Sequence, residues 1–296
     1  MDEIKETVKK NRPNIADSSV KTYTSIISNL YKYMKKTQDL DGCVDYLTKH
    51  PKEVLEYLKE KDGSKRKTML ASLVVLTEKH PHTAELYRKQ MLDDAHKHND
   101  KEKDQEKTET QKENWISQEE LKKIYSDLDK ETRPLLSKTS LKPNEFQRLQ
   151  NFVILSLYVL QPPRRLQDYT LMRIKNATED ENYISKTKFI FNKYKTSRHH
   201  GREEITINPK LKFILDKWKK LNPHDYLLVG MTDKKFSSSQ LQQRLNSILG
   251  KKASVNILRH SFLSDKYKDI DLREMEADSK AMGHSIPQQM LYIKKE

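Results

Sequence analysis

Apolar residues recur at helical spacing along most of the chain. Val20, Tyr23, Ile27, Leu30, Tyr31 and Met34 fall three or four positions apart, which predicts an amphipathic helix over residues 18–34 with Ser18 or Ser19 as its cap. A second helix is expected over 51–60, with Val54, Leu55 and Leu58 inward. A third starts at Ser64 and carries Met69, Leu70, Leu73, Val74 and Leu76; a fourth covers 84–95. The pattern then stops. Residues 96–113, HKHNDKEKDQEKTETQKE, hold no strongly apolar side chain and read as an extended linker or a solvated helix extension. It resumes at Trp115 and Ile116, after which Ser117 caps a helix with Glu119 and Glu120 in its first turn. Over 144–160, Phe146, Leu149, Val153, Leu157 and Leu160 share one face, and Phe152, Ile154 and Leu155 widen it, so this helix is buried on most sides. Pro162 and Pro163 end it. β-type residues cluster around 183–184, 189–191 and 205–207. Helices are expected again at 211–221, 238–249 and 256–267, with a last one leading to Tyr292.

This pattern divides the chain into a helical bundle over 1–95, a charged linker over 96–113 and a second domain over 114–296, mainly α with a small antiparallel β-sheet. A length of 296 residues agrees with two domains. Six glycines and ten prolines argue against a collagen-like, Gly-loop-rich or wholly disordered chain. No apolar run approaches the ~18 residues a membrane span needs. The N-terminal MDEIKETVKKNRPN has no apolar stretch of the secretory kind. The single cysteine, Cys43, excludes a disulfide framework and a zinc ribbon, so a reducing compartment is expected: cytoplasm, nucleus or viral factory. His199, His200, His96 and His98 lack matching Cys or carboxylate spacing, and no metal or other cofactor is expected.

Charge narrows the partner. Lys and Arg number 57 against 43 Asp and Glu, a formal net charge of +14, which favours a polyanion, DNA or RNA first. Acidic residues are interspersed, unlike a histone-type tail. Lys65, Arg66 and Lys67 sit in a helix's first turn, where cations oppose the dipole; a phosphate docked at that helix start would account for them. Between Ile184 and Arg202 lie six cations, Lys186, Lys188, Lys193, Lys195, Arg198 and Arg202, and no carboxylate. The basic hairpin KYKTSRHHGR within this run suits phosphate contact.

Three further segments join it. In PPRRLQDY, residues 162–169, Asp168 follows Arg165 by three, which on a helical turn lets the carboxylate orient the guanidinium. In NILRHSF, residues 256–262, Arg259 follows Asn256 by three. In MGHSIPQQMLY, residues 282–292, His284 precedes Tyr292 by eight. The order R-x-x-D, hairpin lysine, x-x-x-R-H-S, G-H, Tyr resembles the tyrosine recombinase (phage-type integrase) family over roughly residues 15–292. The resemblance implies a two-domain C-clamp: an N-terminal helical core-binding bundle and an α/β catalytic domain. It implies Arg165 and Arg259 as the catalytic arginines, Tyr292 as the nucleophile that forms a 3′-phosphotyrosyl link, and His284 as a phosphate ligand or buttress of Tyr292. The hairpin lysine that serves as acid is Lys195, with Lys193 as the other candidate. Asp168 would hold the arginine cluster.

The resemblance also implies double-stranded DNA as partner and a homo-tetramer on DNA. Two positions depart from it. Asn256 stands where the family usually has His, and an amide cannot shuttle a proton at neutral pH; the adjacent His260 matches a position usually packed inside. Only four residues follow Tyr292, so exchange of a C-terminal segment between subunits is expected to be weak. RPN-x4-S-x-K-T-Y, from Arg12 to Tyr23, is similar to integrases of large DNA viruses and their mobile elements. Two competing functions share much of the pattern: type IB topoisomerase-like relaxation, and non-catalytic DNA binding on a degenerate recombinase fold.

Overall fold

The computed structural model describes residues 1–230, 234–282, 286, 287 and 290, with the backbone alone for 278, 280 and 281. The described chain is mainly helical with one small sheet and falls into two compact units. The first holds Met1–Glu106 together with a helix near the C-terminus, Leu272–Ala281; the second is Lys107–Ile270.

The first unit begins with α1 (Asp2–Asn11), α2 (Asp17–Lys35), α3 (Cys43–Lys49) and α4 (Pro51–Lys59), followed by α5 (Gly63–Leu76) and α6 (Pro81–Glu102). Ile4, Val8, Ile27, Leu47, Leu58, Leu70, Leu73 and Tyr87 are among the side chains that fill its core. Helix α1 buries only Ile4 and Val8, and its charges run from Asp2 and Glu3 to Lys9 and Lys10, matching the helix dipole. Neither Ser18 nor Ser19 caps α2: the helix already starts at Asp17, Ala16 is its N-cap, and no side chain bonds there. At α5 the cap is Asp62, which accepts from the backbone N–H of Ser64 at 3.0 Å and of Lys65 at 3.4 Å. An anion thus already meets the helix start that the sequence offers to a phosphate.

The charged stretch is mostly helical. Helix α6 carries residues 96–102, and α7 (Glu109–Asn114) opens on a capping box between Thr108 and Gln111. The helix-extension reading therefore holds for 96–102, and the extended reading fails there.

The second unit is built on α9 (Pro143–Val159), flanked by α8 (Gln118–Thr132). Phe152, Val153, Ile154, Leu155 and Leu157 of α9 are all fully buried. Ser117 caps α8 through the N–H of Glu120. The short α10 (Leu166–Thr170) leads into β1 (Met172–Arg173), β2 (Asn182–Ser185) and β3 (Lys188–Phe191). After α11 (Ser197–His200) come β4 (Glu203–Thr206) and α12 (Pro209–Leu221), then α13 (Ser238–Leu249), α14 (Val255–Lys266) and the helix Leu272–Ala281 as α15. The strand order is β1-β2-β3-β4. β1 runs parallel to β2 while the other pairs are antiparallel, so the sheet is mixed rather than all antiparallel.

Two buried amides fix the frame of this unit. Gln150 on α9 donates to Val229 O and accepts from Val229 N, both at 2.9 Å. Asn182 on β2 donates to Asp168 O at 3.3 Å and Lys193 O at 2.8 Å, and its Oδ1 accepts from Asn192 and Lys193 N–H. Asn182 thereby ties the chain after β3 to α10. The connection from β3 to β4 contains α11, whose C-cap is Gly201 with a φ of 67° that favours glycine. Among the described residues, no helix is long and apolar enough to cross a membrane.

Candidate active site

A cavity of about 290 Å³ opens in the second unit where the end of α9, the start of α10, the chain after β3, β4 and α14 meet. Its charged lining is Arg164, Arg165, Asp168, Glu203 and Arg259. Three guanidiniums against two carboxylates leave a net charge of +1.

The sequence spacing pairs Arg165 with Asp168, and the fold replaces that pair. Arg165 is the N-cap of α10 with extended backbone (φ −66°, ψ 152°), so the helical i+3 relation does not reach it. Arg164 takes the carboxylate instead: its Nε donates to Asp168 Oδ2 at 2.8 Å and its Nη1 to Glu203 Oε2 at 2.9 Å. Its Cζ lies 4.0 Å from the centroid of the Phe191 ring. Burial pushes the Asp168 carboxyl up from its ordinary value, and the charges of Arg164 and Arg165 offset only part of this. Asp168 Oδ1 has no hydrogen-bond partner among the described residues. Burial also pushes Glu203 up, but hydrogen bonds from Arg164 and Tyr194 outweigh it and leave Glu203 below its ordinary range.

Arg165 and Arg259 are half-buried and make no hydrogen bond or ion pair among the described residues. Both face the cavity with uncommitted forks, the geometry that suits the oxygens of a phosphate. Arg259 stands on α14, whose N-cap Ser254 accepts from Ile257 N–H. Asn256, one turn earlier, is exposed. His260 is exposed too, against the packed position expected for it.

The two hairpin lysines sit in the chain beyond Phe191, past the end of β3. Lys193 donates to Asp180 at 2.6 Å. That bond raises the pKa of Lys193 and brings Asp180 down to about 2. Lys195 is exposed, next to the cavity-lining Thr196. His284 and Tyr292 lie outside the described residues.

The remaining basic candidates are not among the residues that line the cavity. Lys65 is exposed and Lys67 half-buried, both in the first unit. Arg66 is an internal counter-ion: it makes a bidentate pair with Asp94, Nε to Oδ2 at 2.7 Å and Nη2 to Oδ1 at 2.5 Å. The carboxylate is buried, and the Arg66 guanidinium is its counter-charge. Arg198 lies exposed on α11, and Arg202 pairs with Glu204 at 2.8 Å.

Three site residues escape the sequence reasoning: Arg164, Glu203 and Asn182. For Arg164 the helical spacing gives no signal, because it lies before the N-cap of α10 and reaches Asp168 from outside the helix. For Glu203 the signal appears only in three dimensions, through the β3–β4 register that sets it opposite Phe191.

A scan against protein-family models finds no match, and a search of the curated proteins finds none. Among solved structures, the chain is similar to XerA recombinase, with a TM-score of 0.38 and 13% identity over 100% of this chain and 94% of that one. It is also similar to a lambda integrase dimer bound to a COC′ core site, with a TM-score of 0.36 and 14% identity over 92% of this chain and 98% of that one.

Proposed function

We propose that the protein is a site-specific DNA recombinase that cleaves and rejoins strands through a covalent 3′-phosphotyrosyl intermediate. The observation that carries this reading is the convergence of Arg165 and Arg259, from separate elements, on one cavity in which Arg164 has taken up the carboxylates.

A phosphodiester exchange of this kind needs charge stabilisation, a nucleophile and an acid for the leaving oxygen. Arg165 and Arg259 supply two permanent charges to the non-bridging oxygens. Tyr292 gives its phenolic proton to solvent, attacks phosphorus through the phenolate oxygen and displaces the 5′ oxygen, which takes a proton from Lys195. A free phenol has a pKa of about 10, so neighbouring cations must help it ionise. The phosphotyrosyl link conserves the energy of the broken bond, so the reverse attack by a 5′ hydroxyl rejoins the strand without a nucleotide.

On this reading residues 1–95 bind the DNA core, 114–296 hold the chemistry, and four protomers assemble on duplex DNA inside the cell. Asn256 gives one specific reason to keep a second reading, non-catalytic DNA binding, because it cannot replace a proton-transferring histidine.

A nicked suicide DNA substrate, run on a denaturing gel after incubation with the protein, tests the proposal. The wild-type chain is expected to give a covalent adduct, and Tyr292→Phe none while still binding the DNA. Absence of adduct from both proteins would leave only DNA binding.

A further inference from the structure

We infer that Arg164 is a positioning residue that keeps Asp168 and Glu203 away from Arg165, so that the cavity retains its positive charge for an anion. The inference deepens the recombinase reading and rests on it only where the anion is taken to be a DNA phosphate.

The argument starts from what each guanidinium is doing. Arg164 has committed Nε to Asp168 and Nη1 to Glu203, and its flat face rests on Phe191. Its side chain is only 17% exposed, so it is part of the cavity wall. Arg165 and Arg259 have made no such commitments among the described residues.

Asp168 explains why a dedicated counter-ion is needed. Its carboxylate is 2% exposed and keeps one oxygen unpartnered even with Arg164 in place. A buried carboxylate without a counter-charge is costly and recruits whatever cation lies in reach. Arg165 is a candidate, since it lines the same cavity and its charge already acts on Asp168. Without Arg164, Arg165 would close on Asp168. The five charged groups of the cavity would then become two guanidiniums and two carboxylates, with a net charge of zero in place of +1. Arg164 thus works through Arg165 and does not itself touch the ligand.

Isothermal titration with inorganic phosphate separates a positioning role from direct contact. The wild type is expected to bind phosphate, and Arg165→Ala or Arg259→Ala to abolish that binding, which locates it in the cavity. Arg164→Gln should weaken it by roughly tenfold or more. The triple variant Arg164→Gln, Asp168→Asn, Glu203→Gln removes the cluster as a whole and should bind phosphate at least as tightly as the wild type. A triple variant as weak as Arg164→Gln would overturn the inference, because Arg164 would then be a ligand in its own right. Should Arg164→Gln fail to fold, the triple variant still decides, since it buries no unpaired charge. No phosphate binding by the wild type also refutes the inference. Phosphate binding with no covalent adduct on suicide DNA would instead remove the recombinase reading and leave the role of Arg164 standing.

Discussion

Arg66 offers the sharpest separation between a DNA contact and a structural charge. Its guanidinium makes two short bonds to Asp94 and donates to the carbonyls of Lys59 at 3.2 Å and Lys61 at 3.4 Å. The Asp94 side chain is 1% exposed. Arg66→Ala removes the counter-charge and leaves a buried carboxylate, a change that typically costs about 3–5 kcal/mol. Gln90 still donates to Asp94 Oδ1 at 3.3 Å, which favours the lower end, about 3 kcal/mol. Urea unfolding of the full chain should show this loss, and the double variant Arg66→Met, Asp94→Leu should recover most of it. The pH dependence has a definite sign. The hydrogen bonds from Arg66 hold the Asp94 carboxyl below its ordinary value against the effect of burial. A carboxylate whose folded pKa is lowered contributes fully above its unfolded pKa of about 3.9 and loses that contribution as pH falls through the folded value. The gap between wild type and Arg66→Ala should therefore close in acid. If Arg66→Ala unfolds within about 0.5 kcal/mol of the wild type and lowers affinity for random duplex DNA as Lys65→Ala does, the guanidinium is a phosphate contact and the reasoning fails.

Arg259→Ala should slow adduct formation on suicide DNA by about 10²–10³-fold while leaving the urea midpoint nearly unchanged, because the side chain holds no partner among the described residues. Lys195→Ala should be slow in the same assay and Lys193→Ala close to wild type, since Asp180 already holds the Lys193 amine; the opposite result makes Lys193 the acid. Gln150→Ala removes the partner that the buried Val229 N–H and C=O have among the described residues, and equilibrium unfolding should register a loss of about 2–4 kcal/mol.

Helices that bury a broad apolar stripe are legible in the sequence. The reading of α9 as a helix over 144–160 matches Pro143–Val159, and 238–249 matches α13, whose N-cap Ser237 closes a capping box with Gln240. Helix α1 is not legible because two apolar residues among eight others give no usable period, and α3 is too short at seven residues. Strand β1 has two residues and owes its existence to its neighbour β2. At the site, Arg165 and Arg259 stand in the motifs that single them out, whereas Arg164, which lines the same cavity, does not. The choice between Arg164 and Arg165 as partner of Asp168 cannot be read from the sequence, because it turns on where α10 begins, and helix ends are the least determined part of a periodic pattern. Arg66 misleads for a related reason: its partner Asp94 lies a helix away, and no local spacing announces a bidentate pair.

Helix α15 follows the second unit in sequence but belongs with the first, where Arg273 bonds Asp100 and Asp104 and Lys103 bonds Glu276. A truncation beginning at residue 107 and running to the C-terminus would strip those acceptors from Arg273 and bare the half-buried Leu272 and Met275. The stretch 107–270 is different, since the described residues of its hydrophobic core all lie within it. It also carries Arg164, Arg165, Asp168, Glu203 and Arg259 but not Tyr292. That makes it the natural fragment in which to measure anion recognition with the covalent step absent by design.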